Sequence, residues 1–105
     1  MAQFMRTKRY ENRQDEYTDE YVIDYIREDD GTIRMKVTEH PENPYDADVR
    51  KCHLYPSGNI CVSKGKEPRS LEVAEAIAYY WMNGYSAYVR SGTFPDTGGR
   101  VQVPD

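Results

Sequence analysis

The groups in this chain that could do chemistry are concentrated in one stretch, Lys51-Cys52-His53-Leu54-Tyr55-Pro56-Ser57-Gly58-Asn59-Ile60-Cys61. The thiolate is the nucleophile in cysteine chemistry, and a net-positive setting favours its formation. Between positions 50 and 70 the residues Arg50, Lys51, Lys64, Lys66 and Arg69 face only one acid, Glu67, giving +4 around Cys61. His53 is a candidate base or orienting group for Cys61. A packing reading stands beside this one. Cysteine is among the most buried residue types, so Cys61 also reads as a small apolar residue in a strand over Ile60 to Ser63. The basic run reads equally as a solvated loop or as a surface for an acidic partner.

Other chemistries fit less well. His40, Cys52, His53 and Cys61 are four potential zinc ligands, but adjacent Cys52 and His53 cannot easily point at one ion and there is no Cys-x-x-Cys knuckle. No metal and no cofactor is expected. Ten tyrosines could stack on bases, yet a pI of 5.2 argues against a phosphate-binding surface, so nucleic acid is not an expected partner.

The elements that must position Cys61 follow from pattern. Tyr21 to Arg27, an acidic turn ending in Asp30-Gly31, and Thr32 to Glu39 read as a β-hairpin, with Ile33, Met35 and Val37 alternating against Arg34 and Lys36. Residues 40 to 48 hold Pro41 and Pro44 and form a connecting loop. Tyr55-Pro-Ser-Gly-Asn is a turn, since proline presets φ at the second position and glycine suits the fourth. Ser70 stands as a helix N-cap with Glu72 in the first turn, and Leu71, Ala74, Ile77, Ala78 and Trp81 follow helical spacing toward a stop at Asn83-Gly84. Residues 85 to 90 read as a closing strand or a short helix. The domain division is then a polar arm or edge segment over 1–19, a core over 20–90 and a tail or loop over 91–105. The fold class is α+β, a small antiparallel meander packed by one main helix.

A plain two-residue turn at Ser57-Gly58 would pair Leu54 with Cys61 and His53 with Val62. His53 and Cys61 would then lie on opposite faces. A catalytic pair therefore requires irregular backbone before the turn. The same register brings Cys52 diagonally near Cys61, which opens a third reading as a redox thiol pair.

Composition constrains the whole. Leu, Ile, Val and Phe make up 17 of 105 residues, a low fraction that suggests disorder only when net charge is large, and here it is -4. Ten Tyr and one Trp supply the missing bulk, with several tyrosines buried and their hydroxyls at the core edge. The longest apolar run, Ala76 to Met82, is seven residues, too short for the roughly 20 of a membrane helix, so no membrane partner is expected. The basic start lacks an apolar region behind it, which argues against a secretory signal and for the cytoplasm, where both thiols stay reduced.

The segment Tyr-Pro-Ser-Gly-Asn-Ile-Cys-Val-Ser (55–63) resembles the active-site segment of ubiquitin-conjugating enzymes, a Tyr-Pro-x-Gly-x-Val/Ile/Leu-Cys stretch presenting a thioester-forming cysteine. The order of meander, proline loop, active-site segment and crossing helix agrees over about residues 31 to 84. The resemblance implies a reduced UBC-like fold in which Cys61 carries a ubiquitin-like modifier. The modifier would come from an adenylating activating enzyme and pass to an amine on a target protein. It also implies His53 as the orienting, basic or oxyanion-stabilising group, and Tyr55, Pro56, Gly58 and Asn59 as active-site support. Arg50, Lys51, Lys64, Lys66 and Arg69 would dock partners. Lys51, Cys52 and His53 stand where eukaryotic members have His-Pro-Asn, so His53 replaces the catalytic Asn, and the long first helix and the last helices are missing. Bacterial relatives from antiphage defence operons are similar in His-x-Tyr-Pro-x-Gly-x-Leu-Cys and in an aromatic helix ending in Gly. Lost flanking helices leave sheet surface to be covered, and a homo-oligomer is one way to cover it. The alternative within the same fold is a non-catalytic interaction module. Gly98-Gly99-Arg100 resembles the processed end of a ubiquitin-like modifier, but Gly-Gly is ordinary in a loop.

Overall fold

The structure, a computed structural model, describes residues 1–95, so Gly98-Gly99-Arg100 lies outside the described residues. In chain order the elements are β1 (Gln3–Arg13), β2 (Thr18–Arg27), β3 (Ile33–Glu39), the short helix α1 (Val49–Cys52) and the long helix α2 (Leu71–Ser91). The strands form one antiparallel sheet in the order β1-β2-β3, and α2 packs across it, which is an α+β architecture.

Alternation sets the sheet. Ile23 and Tyr25 of β2 pair with Val37 and Met35 of β3, Ile33 pairs with Arg27, and the register shifts between Val22 and Ile23. Tyr21, Ile23, Tyr25, Ile33, Met35 and Val37 are all buried. The connection is not the simple Asp-Gly turn read from the sequence. The Gly31 amide donates to the Glu28 carbonyl at 3.0 Å and Gly31 has φ 90°, so Glu28–Gly31 is a four-residue turn ending in a bulge glycine.

Residues 3–13, whose charges hide their period, form the edge strand of the sheet. β1 pairs with β2 from Gln3 to Arg13 with one bulge between Phe4 and Arg6. Arg6, Lys8, Tyr10 and Asn12 share the helix side. Arg6 and Lys8 each reach Glu75 of α2 at 3.5 Å, the Tyr10 and Tyr25 hydroxyls bond at 2.5 Å, and Asn12 Nδ2 donates to Ser86 Oγ at 3.0 Å. The strand reads as polar because its inner face carries Arg6, Lys8 and Asn12 to polar partners on the helix, while Met5 and Tyr10 pack against the core.

α2 begins as its sequence indicates, with Ser70 Oγ accepting from the Val73 amide at 3.2 Å. It does not end at Asn83-Gly84. It runs on to Ser91 and closes at Gly92, whose φ is 80° and whose amide donates to the Tyr88 carbonyl at 2.8 Å. Gly84 is a packing slot, since a Cβ there would lie 2.2 Å from the Phe94 ring folded back over it. Residues 85–91 continue the buried stripe through Tyr85, Tyr88 and Val89, and Trp81 stacks on Tyr85 at 4.6 Å. No helix among the described residues is long and apolar enough to cross a membrane.

The core is aromatic, and its hydroxyls are used. Tyr21 Oη bonds Ser86 Oγ at 2.6 Å and donates to the Met82 carbonyl, while Tyr88 Oη donates to the Asp46 carbonyl at 2.6 Å. A buried phenol without such a partner would cost about 1–3 kcal/mol. Arg90 holds the buried Asp19 with two bonds of 2.7 and 2.9 Å and lies over the Tyr17 ring, tying the end of α2 to the start of β2.

Candidate functional site

The candidate site is a hairpin over residues 53–61 that docks on the free edge of β3. The Gly58 amide donates to the Tyr55 carbonyl at 2.8 Å, and the Tyr55 amide donates to the Asn59 carbonyl at 2.9 Å. With Gly58 at φ 96°, this is a turn through Pro56 and Ser57 followed by a bulge glycine. A side chain at 58 would also collide with β3, since a Cβ there would sit 2.9 Å from the Val37 carbonyl oxygen. The Val37 amide donates to the Gly58 carbonyl at 2.8 Å and the Ile60 amide to the Met35 carbonyl at 3.0 Å, so residues 58–60 act as a rudimentary fourth strand.

The bulge changes the register. Leu54 pairs with Ile60, and the Cys61 amide donates to the His53 carbonyl at 3.0 Å. The plain-turn pairing of Leu54 with Cys61 and His53 with Val62 is therefore corrected by one residue. The signal was in the sequence: glycine at the fourth turn position marks a bulged hairpin.

The His53 side chain is placed by the end of α1. α1 is capped by Asp48, whose carboxylate accepts from the Arg50 amide, and ends at His53, which sits in the left-handed region at φ 58°. Histidine tolerates this region better than most residues. The turn directs the imidazole inward, where it is buried edge-on against Phe94 with ring centroids 4.6 Å apart.

Cys61 is half-buried, and its Sγ lies 3.5 Å from Tyr55 Oη, with Tyr55 itself 44% exposed. The two residues are diagonal neighbours in the hairpin, within reach of an aromatic side chain. The hydrogen bond with Cys61, and the charge Cys61 carries when ionised, push the Tyr55 phenol above its ordinary value. At neutral pH Tyr55 therefore keeps its proton and can donate it in a hydrogen bond toward sulfur or toward an oxygen forming beside it. Of the named support residues, Tyr55 is the one whose polar atom reaches the thiol.

Cys52 has different surroundings. It is buried, with its thiol donating to the Leu54 carbonyl at 3.8 Å and its own carbonyl accepting from Trp81 Nε1 at 3.2 Å. Burial pushes the Cys52 thiol up. Both cysteines are free.

The basic cluster is partly compensated by acids just upstream of it. Arg50 forms a two-bond pair with Asp48 at 2.8 and 3.2 Å, and Lys51 pairs with Asp46 at 3.3 Å. Extending the count of +4 to include Asp46 and Asp48 lowers it to +2. Arg69 donates to the Asp30 carbonyl at 3.0 Å at the β2–β3 turn, so it clamps that turn. Lys64 and Lys66 remain, exposed on the turn that follows Cys61.

Beside the hairpin runs a groove of about 220 Å³ lined by Tyr55, Asn59, Ile60, Val62, Met35 and Pro68, among others. Asn59 Oδ1 is buried there with no hydrogen-bond partner among the described residues. The Tyr55 side chain joins the two features, lining the groove while its hydroxyl reaches Cys61. Among the described residues no group of three or more His, Cys, Asp or Glu is arranged to hold a metal ion. In comparison with known proteins the chain matches no family model, no curated sequence and no solved structure.

Proposed function

We propose that the protein is a thioester carrier of the ubiquitin-conjugating type, with Cys61 as the acceptor thiol. The observation that carries this reading is the Sγ of half-buried Cys61 held 3.5 Å from Tyr55 Oη on a turn pinned to β3. The order of meander, proline loop, cysteine hairpin and crossing helix supports the same reading.

The Cys61 thiolate attacks the carbonyl of an activated modifier and expels the activating enzyme's thiolate, conserving one thioester. An amine of the target protein then attacks that carbonyl, loses a proton to solvent, and releases the Cys61 thiolate as an amide forms. Tyr55 donates a hydrogen bond to the sulfur or to the oxyanion of the tetrahedral intermediate, the role in which a positioned donor contributes most. His53 supports the turn from inside through its contact with Phe94. The acyl chain approaches along the groove beside Tyr55. Lys64 and Lys66 meet an acidic partner face.

With the native activating enzyme and modifier, wild type forms an adduct released by thiol reductant, and Cys61→Ala forms none. An equal adduct on Cys61→Ala overturns the reading.

The inward His53 ring favours a second reading, a non-catalytic interaction module of the same fold. Native-state labelling separates the two. The carrier reading expects one rapid thiol equivalent, on Cys61, and the module reading expects Cys61 to label no faster than buried Cys52.

A further inference from the structure

The free edge of β1 carries an inference independent of the thiol. Eleven residues long, β1 pairs only with β2, and among the described residues no strand lies on its other side. Which backbone groups point outward follows from the turn. The Gln14 amide donates to the Tyr17 carbonyl at 2.8 Å, and pairing continues through Asn12↔Asp19, Tyr10↔Tyr21 and Lys8↔Ile23. Antiparallel alternation directs the backbone groups of Lys8, Tyr10 and Asn12 at β2 and those of Thr7, Arg9, Glu11 and Arg13 away from it.

Such an edge recruits another strand unless its side chains forbid it. Here the charges forbid many registers of a self-pair. Of those that oppose no like charges, the one with Tyr10 on the dyad pairs the longest stretch of β1, residues 7–13, whereas a dyad at Asn12, which also faces Glu11 with Arg13, pairs only residues 11–13. In an antiparallel self-pair the outward residues must face one another. Placing Arg9 on the dyad sets Arg9 against its own copy, placing Lys8 there sets Lys8 against Lys8, and placing Glu11 there sets Glu11 against Glu11 and Arg9 against Arg13. Placing Tyr10 there pairs Arg9 with the second copy's Glu11 twice, Thr7 with Arg13 twice and Lys8 with Asn12 twice, with no like charges opposed over residues 7–13. Opposite-charge cross-strand pairs stabilise a ladder and like pairs destabilise it.

The helix side agrees with this dyad. Tyr10 lines a small groove of about 40 Å³ with Glu11, Asn12, Tyr79, Met82 and Asn83, and Tyr79 is 61% exposed beside it. Two copies related at Tyr10 bring these grooves together, where each exposed Tyr79 ring can cover the other copy's edge.

We propose that this protein forms a two-fold dimer through β1, antiparallel and centred on Tyr10, making one continuous six-stranded sheet. The occupant of the edge is a second copy of this chain. Light scattering and native mass spectrometry over a concentration series test it. Wild type is expected at twice 12.3 kDa. Glu11→Arg, which sets arginine against Arg9, and Arg9→Glu, which sets glutamate against Glu11, are each expected at the monomer mass. An equimolar mixture of the two variants restores both pairs and is expected to return a heterodimer. In hydrogen exchange the amides of Thr7, Arg9, Glu11 and Arg13 slow as concentration rises. A wild type that stays monomeric, or bound only to some other protein, overturns the proposal. So does a dimer that survives Glu11→Arg, or a mixture of variants that stays monomeric.

Discussion

The Cys61 amide donates to the His53 carbonyl at 3.0 Å, while the His53 ring is buried edge-on against Phe94. One residue thus serves the thiol's position through its backbone and the core through its side chain. His53→Ala is expected to cost about 2–4 kcal/mol, from the lost ring packing and from alanine held at φ 58°. Chemical denaturation measures it. A variant as stable as wild type would show that the ring is not part of the core.

Tyr55→Phe isolates the hydroxyl. The side chain is 44% exposed, so stability should change by less than about 0.5 kcal/mol, while the proposed thioester formation or discharge at Cys61 slows. The phenol gives a direct spectroscopic check. Cys61 holds the Tyr55 phenol above its ordinary value, so in Cys61→Ala the phenolate absorbance of Tyr55 should appear at lower pH than in wild type. Identical titrations would mean the two groups are not in contact in solution.

Gly84 and Phe94 compete for one volume. Alanine usually stabilises a helix interior by about 1 kcal/mol over glycine. Here the added Cβ meets the Phe94 ring, so Gly84→Ala is expected to destabilise by about 1–3 kcal/mol. In a Phe94→Ala background the same change should become neutral or stabilising, and a double-mutant cycle on thermal unfolding reads the reversal.

Asp19 sets an acid limit on stability. Burial alone would raise its carboxyl, but the hydrogen bonds from Arg90 and Ser86 and the charge of Arg90 outweigh burial and hold it below the ordinary value. A carboxyl depressed in the folded state contributes stability above its unfolded pKa of about 4, and loses it as pH falls through the folded value. Stability should therefore fall with acidification below about pH 4, and Asp19→Asn should flatten that part of the curve. An unchanged slope would show that Asp19 is not the linked group.

What could be read locally was read from local interactions. The β2–β3 alternation, the Ser70 cap and the turn at Pro56 depend on neighbours within a few positions, so the α+β class and the place of Cys61 on a hairpin follow from the sequence alone. Fold was decided elsewhere by partners far along the chain. β1 looked patternless because Arg6 and Lys8 answer to Glu75, nearly seventy residues away. α2 passed its apparent stop because Phe94 fills the space at Gly84. The basic field near Cys61 was weakened by Asp46 and Asp48, whose pairing depends on the α1 turn. Sequence determined which atoms could react, since residue type fixes nucleophilicity and proton affinity. Only tertiary structure decided which of them meet, because a single left-handed residue and a bulge glycine sent the His53 ring inward and left the Tyr55 hydroxyl beside the thiol.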